Sequence, residues 1–218
     1  MSTRVIAIGD IHGCARALAA LVRAIAPGPQ DTLVFLGDYI DRGPDSRDVL
    51  TQLLALRTQC QLVPLLGNHE LMLLDALENP RVLWPWLEFG GDATLASYGG
   101  HLENIPLSHW RFLSECRRYY ETATHFFVHA NYAAELPLAE QPDYLLFWEH
   151  LHARLPGPHV SGKRAVVGHT SQKSGQVLDL GYLLCIDTYC YGGGWLTAWE
   201  VNSGQCWQAD RAGQLRAG

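Results

Sequence analysis

The sequence predicts an α/β protein in which strands alternate with helices. Three short apolar or β-branched runs, at 5–8, 32–36 and 61–65, each lead into a loop of glycines and polar residues and then into a helical pattern. Such alternating units place the strands in a sheet whose faces are covered by helices. The chain has 218 residues, of which 48% are hydrophobic, so it can bury a sizeable core, and we expect a single domain over 1–218.

The helices between these strands follow from the spacing of apolar residues. Between 14 and 26, apolar residues recur every three or four positions, and the Pro-Gly-Pro sequence at 27–29 ends the helix. The same spacing predicts a second helix at about 46–57 and a third at about 70–78. These three strand–loop–helix units account for the chain up to residue 78.

The rest of the chain divides into a helical part and a β part. Residues 80–118 are predicted to be mostly helical, with one helix at about 109–116. From residue 119 the pattern changes, and the runs at 119–122 and 125–128 predict a hairpin because only two residues separate them. Further strands are predicted at 163–167, 177–180, 182–186, 196–201 and 206–209.

The charge balance argues against a protein that binds nucleic acid through its overall charge. The formal net charge is −6, whereas a polyanion is attracted by a positive surface. Any positive charge that contacts a phosphate group must therefore be local. No stretch approaches the ~18 apolar residues of a membrane span. We accordingly expect neither nucleic acid nor membrane as a partner.

The start of the chain and its cysteines bear on the compartment. Met1 lies so close to the first strand that we expect no signal peptide, and hence a cytoplasmic protein. The six cysteines form no Cys-x-x-Cys pair, so they are expected to be reduced apolar side chains rather than disulfides or zinc ligands. A monomer is the expected oligomeric state.

Polar side chains follow five of the predicted strands. Asp10 and His12 come after the first strand, two positions apart, so an extended segment would point both to the same side. The carboxyl ends of strands in an α/β sheet are where ligands bind. Carboxylate and amide oxygens combined with imidazoles suit a pair of transition-metal ions better than calcium. The other four side chains at these strand ends are Asp38, Asn68, His129 and His169.

The loops that carry these residues resemble those of a known family. Gly-Asp-Ile-His-Gly at 9–13, Gly-Asp-Tyr-Ile-Asp-Arg-Gly at 37–43 and Gly-Asn-His-Glu at 67–70 look like the signature of the calcineurin-like metallophosphoesterases. More narrowly, they resemble the phosphoprotein phosphatases, the group of bacterial and phage serine/threonine phosphatases. Val-His at 128–129 and Gly-His-Thr at 168–170 complete the pattern.

This resemblance covers most of the chain, roughly from residue 5 to residue 199. It implies an α/β fold of two mixed β-sheets packed face to face in a sandwich, with helices on the outside. It also implies that the helical segment at about 80–118 is a cap-like insertion beside the site. We therefore expect one metallophosphoesterase domain that includes this insertion.

The resemblance also implies a dinuclear metal centre. Two divalent ions held about 3.5–4 Å apart need a shared anionic ligand between them, and both ions take part in an in-line displacement on phosphorus. Mn²⁺ is the expected metal, and Fe, Zn, Co and Ni are alternatives. The implied ligands are Asp10 and His12 on one ion, Asn68, His129 and His169 on the other, and Asp38 bridging both.

Three further residues are given catalytic or binding roles by the resemblance. His69 follows a metal ligand directly and resembles the general acid that protonates the leaving oxygen. Asp41 resembles the partner that orients this imidazole and stabilises its charged form. Arg42 would hold phosphate oxygens through its planar guanidinium. The alternatives are an internal ion pair between Asp41 and Arg42, and a helix-capping role for His69.

The sequence departs from the family pattern at one position. Relatives often have a second phosphate-binding arginine after a tryptophan, whereas this chain has Trp148, Glu149 and then His150. The second phosphate contact is therefore His150, Lys163 or absent. We favour Lys163, because it lies in a loop just before the strand that leads to His169.

Together these observations predict a metal-dependent phosphomonoesterase that hydrolyses phosphoserine or phosphothreonine in proteins, with phosphotyrosine as a further candidate. The expected reaction is direct attack on phosphorus by a hydroxide that bridges two metal ions. A phosphorylated protein or peptide is the expected partner.

Two other functions are compatible with parts of the sequence. One is hydrolysis of dinucleoside polyphosphates of the diadenosine tetraphosphate (Ap4A) type, which uses the same metal motifs. The intact Asp-Arg-Gly at 41–43 and Glu70 after the Asn-His pair favour the protein phosphatase. The other is a non-catalytic binding scaffold, which we disfavour because all six metal-ligand positions are present.

Overall fold

A computed structural model describes residues 3–217 of the protein, and within that range it contains eleven strands and seven α-helices. The strands are β1 (Val5–Ile8), β2 (Thr32–Phe35), β3 (Gln61–Pro64), β4 (Tyr119–Glu121), β5 (His125–Val128), β6 (Arg164–Val167), β7 (Leu178–Asp179), β8 (Leu183–Cys185), β9 (Asp187–Thr188), β10 (Trp195–Glu200) and β11 (Cys206–Asp210). The α-helices are α1 (Ala15–Ile25), α2 (Ser46–Leu56), α3 (Asn68–Glu78), α4 (Leu83–Trp86), α5 (Asp92–Ser97), α6 (Leu107–Ser114) and α7 (Asp143–Phe147).

The strands form two mixed sheets. In the first sheet the order is β11-β10-β1-β2-β3, with β9 also paired to β10, and β1, β2 and β3 are parallel. In the second sheet the order is β4-β5-β6-β8-β7, and β5, β6 and β8 are parallel. The predicted hairpin is confirmed, because β4 pairs antiparallel with β5. The predicted α/β class with two mixed sheets is likewise confirmed.

Alternating side chains on each strand separate the layers. Ile6 and Ile8 face the helical side of the first sheet, whereas Ala7 between them packs in the cluster shared by both sheets. Phe127 of the second sheet belongs to this shared cluster, and Phe126 faces the outer side of its own sheet. The two sheets therefore pack face to face with a further apolar layer outside each of them.

The segment at 80–118 consists of short helices that pack on the first sheet's outer core. It contains α4, a single π turn at Leu87–Gly91, α5 and α6. The indole of Trp86 is fully buried in the same apolar cluster as α1 and α2. This position brings the segment against the loop that follows β2.

Some boundaries differ from the prediction. Helix α3 begins at Asn68 rather than at residue 70, because the carboxylate of Glu70 accepts the Gly67 backbone N–H and so caps the helix start. Strand β9 and helix α7 were not predicted, since two and five residues are too short to show a hydrophobic period. Within the described range, no helix combines the length and the apolar character needed to cross a bilayer.

Candidate active site

Loops from both sheets meet at one edge of the sandwich. The loops after β1, β2 and β3 come from the first sheet, and those after β5 and β6 come from the second. Two of these loops approach so closely that a Cβ on Gly43 would lie 2.1 Å from the carbonyl oxygen of His12. The structure places all six predicted metal ligands at this edge, and it buries all of them except the partly exposed His169.

Asp38 lies at the centre of these loops. Its Oδ2 is 3.3 Å from His12 Nε2, and its Oδ1 is 3.5 Å from His129 Nε2. Among the described residues, two groups of three side chains each bring their donor atoms within 4.8 Å of one another, and Asp38 belongs to both. One group is His12, Asp38 and His69, and the other is Asp38, His129 and His169. This arrangement suits a carboxylate shared by two cations.

Backbone carbonyls fix the orientation of two of the predicted histidine ligands. Nδ1 of His12 donates to the carbonyl of Ile40 at 2.9 Å, which leaves Nε2 without a proton on the side that faces Asp38. Nδ1 of His129 donates in the same way to the carbonyl of Leu36 at 2.7 Å. A histidine whose second nitrogen is fixed by a backbone carbonyl presents a lone pair in a defined direction.

The side-chain amide of Asn68 lies between a ring nitrogen of His129 and a ring nitrogen of His169. Its Oδ1 is 3.0 Å from His129 Nε2 and 3.1 Å from His169 Nδ1. The other nitrogen of His169 lies 3.1 Å from the carbonyl of Trp148, to which it donates. Three acceptor atoms therefore face one another at hydrogen-bond distance, an arrangement that a cation between them would stabilise. The donor set fits a transition-metal ion.

The pKa shifts of the histidines agree with this assignment. Burial lowers the pKa of His12 well below its ordinary value, although Asp38 acts in the opposite direction. Burial, followed by the nearby His129, lowers the pKa of His169 to about 3. Both imidazoles are therefore neutral at pH 7, which is the form that binds a metal ion.

The carboxylates of the site crowd one another. The Asp10 carboxylate accepts the backbone N–H of His169 at 3.0 Å and belongs to neither group of three described above. Burial raises the pKa of Asp10 well above its ordinary value, and the neighbouring Asp187 and Asp38 raise it further. For Asp38, burial raises the pKa, but the surrounding imidazoles outweigh it and lower the pKa overall. Buried carboxylates this close together are stabilised by cations.

His69 and Asp41 form a buried pair beside this group. Nδ1 of His69 lies 2.7 Å from Oδ2 of Asp41, and both side chains are fully buried. Nε2 of His69 is buried without a hydrogen-bond partner among the described residues, although nearly all buried polar atoms have one. This nitrogen is therefore available to a bound group at the site. Burial raises the pKa of Asp41, while its hydrogen bond to His69 acts to lower it.

The helical segment at 80–118 supplies two further donors to Asp41. The indole Nε1 of Trp86 donates to Oδ2 at 2.9 Å, and the Thr94 hydroxyl donates to Oδ1 at 2.7 Å. Asp41 and Arg42 both have left-handed backbone angles, with φ of 71° and 68°. The carbonyl of Gly90 accepts the Arg42 N–H at 3.0 Å and so holds this loop in place. The cap-like segment thus fixes the pair that the sequence predicted.

Arg42 lines an open cleft beside the predicted metal ligands. Its Nη1 donates to the hydroxyl of Tyr191 at 2.9 Å and lies 3.2 Å from Nε2 of His12. The guanidinium also lies over the Tyr191 ring, 4.7 Å from its centroid. Arg42 is exposed, so its remaining donors are available to a phosphate oxygen.

Glu70 joins two of the metal-binding loops. Its carboxylate accepts the backbone N–H groups of Asp38 and Tyr39, each at 2.8 Å, and that of Gly67 at 3.0 Å. Burial, followed by the charge of Asp38, raises the pKa of Glu70 to about 8. The sequence identified Glu70 only as part of a motif. The structure shows that it fixes the loop that carries the central carboxylate.

His150 lines the cleft, whereas Lys163 does not. The cleft has a volume of about 570 Å³, and the His150 ring stacks on His169 with 4.2 Å between centroids. Lys163 precedes β6, whereas His169 follows the opposite end of that strand. The Nζ of Lys163 pairs with Glu121 at 2.6 Å. The expectation that Lys163 contacts the phosphate is therefore not met. A four-residue strand separates the two positions by roughly 13 Å.

Several residues in or beside the site were not predicted to contribute. Trp86, Thr94 and Tyr191 reach the site from segments distant in sequence, and no spacing rule connects them to the metal loops. A sequence signal did exist for the loop that contains Tyr191, where the three glycines that follow it at 192–194 indicate a tight turn. The cleft is otherwise lined by Met72, Phe89, Trp148, His152, Thr170, Ser171, Lys173 and Tyr189.

The structure resembles that of a solved phosphoesterase. A crystal structure of a candidate diadenosine tetraphosphatase superposes with a TM-score of 0.74 and covers 96% of this chain and 94% of that one. The two sequences are 24% identical, so this likeness shows a common fold and nothing more.

Curated relatives include two kinds of phosphoesterase. Serine/threonine-protein phosphatase 1 of Salmonella typhimurium is 36% identical over 135 residues, which are 58% of this chain and 58% of that protein. A symmetrical bis(5'-nucleosyl)-tetraphosphatase of Coxiella burnetii is 32% identical over 153 residues, which are 70% of this chain and 49% of that protein. The chain thus covers less than two thirds of the length of either relative.

The family model for calcineurin-like phosphoesterases matches residues 3–193. This range includes all five loops that supply the predicted metal ligands and the cap-like segment that holds Asp41. Because the match extends over most of the sequence and the fold agrees with it, the chain belongs to the calcineurin-like phosphoesterase family.

Proposed function

We propose that the protein is a phosphomonoesterase that hydrolyses phosphoserine and phosphothreonine in proteins. The observation that carries this proposal is the buried His69–Asp41 pair, with the free Nε2 of His69 beside the metal-binding groups. A serine or threonine alkoxide is a poor leaving group, so its departure depends strongly on a proton donor. The leaving group from a phosphoanhydride depends on one much less.

The metal-binding residues are part of this proposal. Two divalent ions would supply positive charge against the phosphate oxygens and a bound water of lowered pKa. We expect Mn²⁺ at these positions. The residues that would hold the ions are Asp10, His12, Asp38, Asn68, His129 and His169.

The protein's own side chains perform the remaining steps. Arg42 binds phosphate oxygens through its guanidinium donors in the cleft, and His150, which stacks on His169 there, contacts the substrate. His69 gives the proton on Nε2 to the leaving oxygen of the serine or threonine side chain. Asp41 holds the His69 ring in the required orientation by accepting from Nδ1.

Hydrolysis of dinucleoside tetraphosphates is a second candidate function. It is favoured by the similarity to the Coxiella burnetii tetraphosphatase, which extends over 70% of this chain. The aromatic side chains of Phe89 and Trp148 are exposed at the rim of the cleft, where a nucleobase could stack on them. The first candidate is supported by the phosphatase of Salmonella typhimurium and by the intact Asp41 and Arg42.

A comparison of substrates separates the two candidates. The protein is purified with Mn²⁺, and kcat/KM is measured for a phosphoserine peptide, a phosphotyrosine peptide and diadenosine tetraphosphate. We expect the phosphoserine peptide to be hydrolysed with the highest kcat/KM. A kcat/KM for diadenosine tetraphosphate at least tenfold above that for every phosphopeptide would overturn the proposal in favour of the second candidate.

A further inference from the structure

A second cavity lies beside the cleft and shares Arg42 with it. It has a volume of about 780 Å³, larger than the cleft above the metal-binding groups. Arg42 lines both spaces, so a ligand bound to this arginine can extend from one into the other. The second cavity is lined by Gly13, Cys14, Arg16, Arg42, Pro44, Asp45, Ala93, Ala96, Ser97, Arg211 and Ala212. We refer to it as the arginine cavity.

The arginine cavity is positively charged on a chain of negative net charge. Arg16, Arg42 and Arg211 face a single acidic residue, Asp45, whereas the whole chain carries −6. In the described part of the chain, none of the three arginines has a carboxylate oxygen within 4.0 Å. Four other arginines of the described residues do have one, and Arg57, for example, pairs with a glutamate at 2.9 Å. Three unpaired guanidinium groups at one cavity favour an anionic ligand.

Three separate parts of the fold supply the arginines of this cavity. Arg16 is the second residue of α1, Arg211 lies in the turn after β11, and the loop after β2 supplies Arg42. The turn after β11 packs directly on the start of α1, because a Cβ on Gly213 would lie 2.9 Å from the carbonyl oxygen of Arg16. This contact holds Arg16 and Arg211 on the same side of the cavity.

The lining favours carboxylates over a nucleotide. Among the described residues that line the cavity none has an aromatic side chain, so a nucleobase would find no surface there to stack on. The part of the lining that α5 supplies consists of small side chains, Ala93, Ala96 and Ser97, which leave room for a peptide. Guanidinium groups bind carboxylates through paired hydrogen bonds.

We propose that the arginine cavity binds acidic side chains that flank the phosphorylated residue of the protein substrate. This inference rests on the proposed protein phosphatase activity and specifies its substrates. An extended peptide advances about 3.3 Å per residue, so a glutamate two to four positions from the phosphate can reach beyond Arg42. The preferred substrates are then phosphoserine or phosphothreonine segments with Asp or Glu on one side.

The test compares two pairs of phosphoserine peptides. In the first pair three glutamates precede the phosphoserine, and in the second pair three glutamates follow it. Within each pair, the second peptide has glutamines in place of these glutamates. For the wild-type protein with Mn²⁺, we expect kcat/KM to be about five- to twentyfold higher for one glutamate peptide than for its glutamine counterpart. This ratio should fall towards one in 0.5 M NaCl, because exposed charges are screened.

Charge reversal in the cavity provides the second part of the test. The variants Arg16→Glu and Arg211→Glu change exposed side chains outside the catalytic machinery, and a glutamate in the first turn of α1 suits the helix dipole. The double variant should lose the preference for glutamate, whereas Arg81→Glu, an exposed residue outside both cavities, should keep it. Hydrolysis of p-nitrophenyl phosphate should be the same in all of these proteins.

The outcomes distinguish this inference from the proposed function. If the wild type hydrolyses glutamate and glutamine peptides with equal kcat/KM in both orders, the cavity does not select acidic substrates and the inference is wrong. A preference that survives in the double variant would also overturn it. If neither peptide is hydrolysed while diadenosine tetraphosphate is, the proposed function fails and the substrate assignment of the cavity fails with it.

Discussion

Replacement of Trp86 by phenylalanine tests how the cap-like segment contributes to catalysis. Trp86 donates an indole hydrogen bond to the same Asp41 oxygen that receives Nδ1 of His69. The Trp86→Phe variant removes this donor and keeps an aromatic ring in the fully buried position. Asp41 then retains Thr94 as its partner from the segment. We expect the carboxylate to move more freely and His69 to be less well oriented.

The expected loss of stability and of kcat follows from the one hydrogen bond to Asp41 that is lost and the two that remain. A hydrogen bond to a charged group contributes about 1.5–3 kcal/mol, and the space left by the smaller ring costs about 1 kcal/mol more. The free energy of unfolding should therefore fall by about 2–4 kcal/mol. Since two of the three side-chain donors to Asp41 remain, we expect kcat for a phosphoserine peptide to fall about tenfold, or ~1.4 kcal/mol.

The assay compares two substrates and includes a matched control. Hydrolysis of p-nitrophenyl phosphate should fall less than threefold in Trp86→Phe, because p-nitrophenolate leaves without a proton. Tyr98→Phe removes a buried hydrogen bond of 2.6 Å to His109 within the same segment, and it should lower stability without changing kcat. An equal loss of kcat on both substrates in Trp86→Phe would refute the link from Trp86 through Asp41 to proton donation.

Three further substitutions test other parts of the site and fold. His69→Asn should lower kcat for phosphoserine peptides by about 10²–10⁴-fold and for p-nitrophenyl phosphate far less, and equal losses would identify His69 as a metal or phosphate ligand instead. Asp38→Asn should abolish binding of at least one metal ion and lower kcat by several orders of magnitude; a variant with two ions per chain and normal turnover would contradict the bridging role. Asp31→Asn tests how the free energy of unfolding depends on pH, because the Arg4 guanidinium lowers the pKa of Asp31 to about 2. Above pH ~4 the wild type should be about 1–2 kcal/mol more stable than the variant, a figure that allows for the partial exposure of Arg4. That difference should disappear as the pH falls from about 4 to about 2, and urea titrations showing a constant difference would exclude the pair as its source.

That the six predicted metal ligands lie together could be predicted from the sequence, because their positions depend on local chain geometry. Each lies one to four residues after the end of a strand, and neighbouring parallel strands bring their carboxyl ends to one edge of the sheet. The His69–Asp41 contact could be inferred only from the family resemblance, since 28 residues separate the two side chains.

Other features depend on packing between distant segments. Trp86 and Thr94 reach Asp41 across 45 and 53 residues of sequence, and the short helices that carry them give no sign of their direction. The expected phosphate contact of Lys163 could have been rejected from the sequence, because a residue that precedes a strand lies at the sheet edge opposite a residue that follows the strand. The predicted strand at 163–167 begins at Lys163 and ends just before His169, so of these two residues only His169 lies at the site.

The central claim is that two metal ions share Asp38, and anomalous diffraction from crystals grown with Mn²⁺ tests it most directly. The geometry predicts two anomalous peaks about 3.5–4 Å apart. One peak should lie against Asp10, His12 and Asp38, and the other against Asp38, Asn68, His129 and His169. Nε2 of His69 should remain free of metal and face the bound phosphate. A single peak per chain, or a peak bonded to His69, would contradict the account.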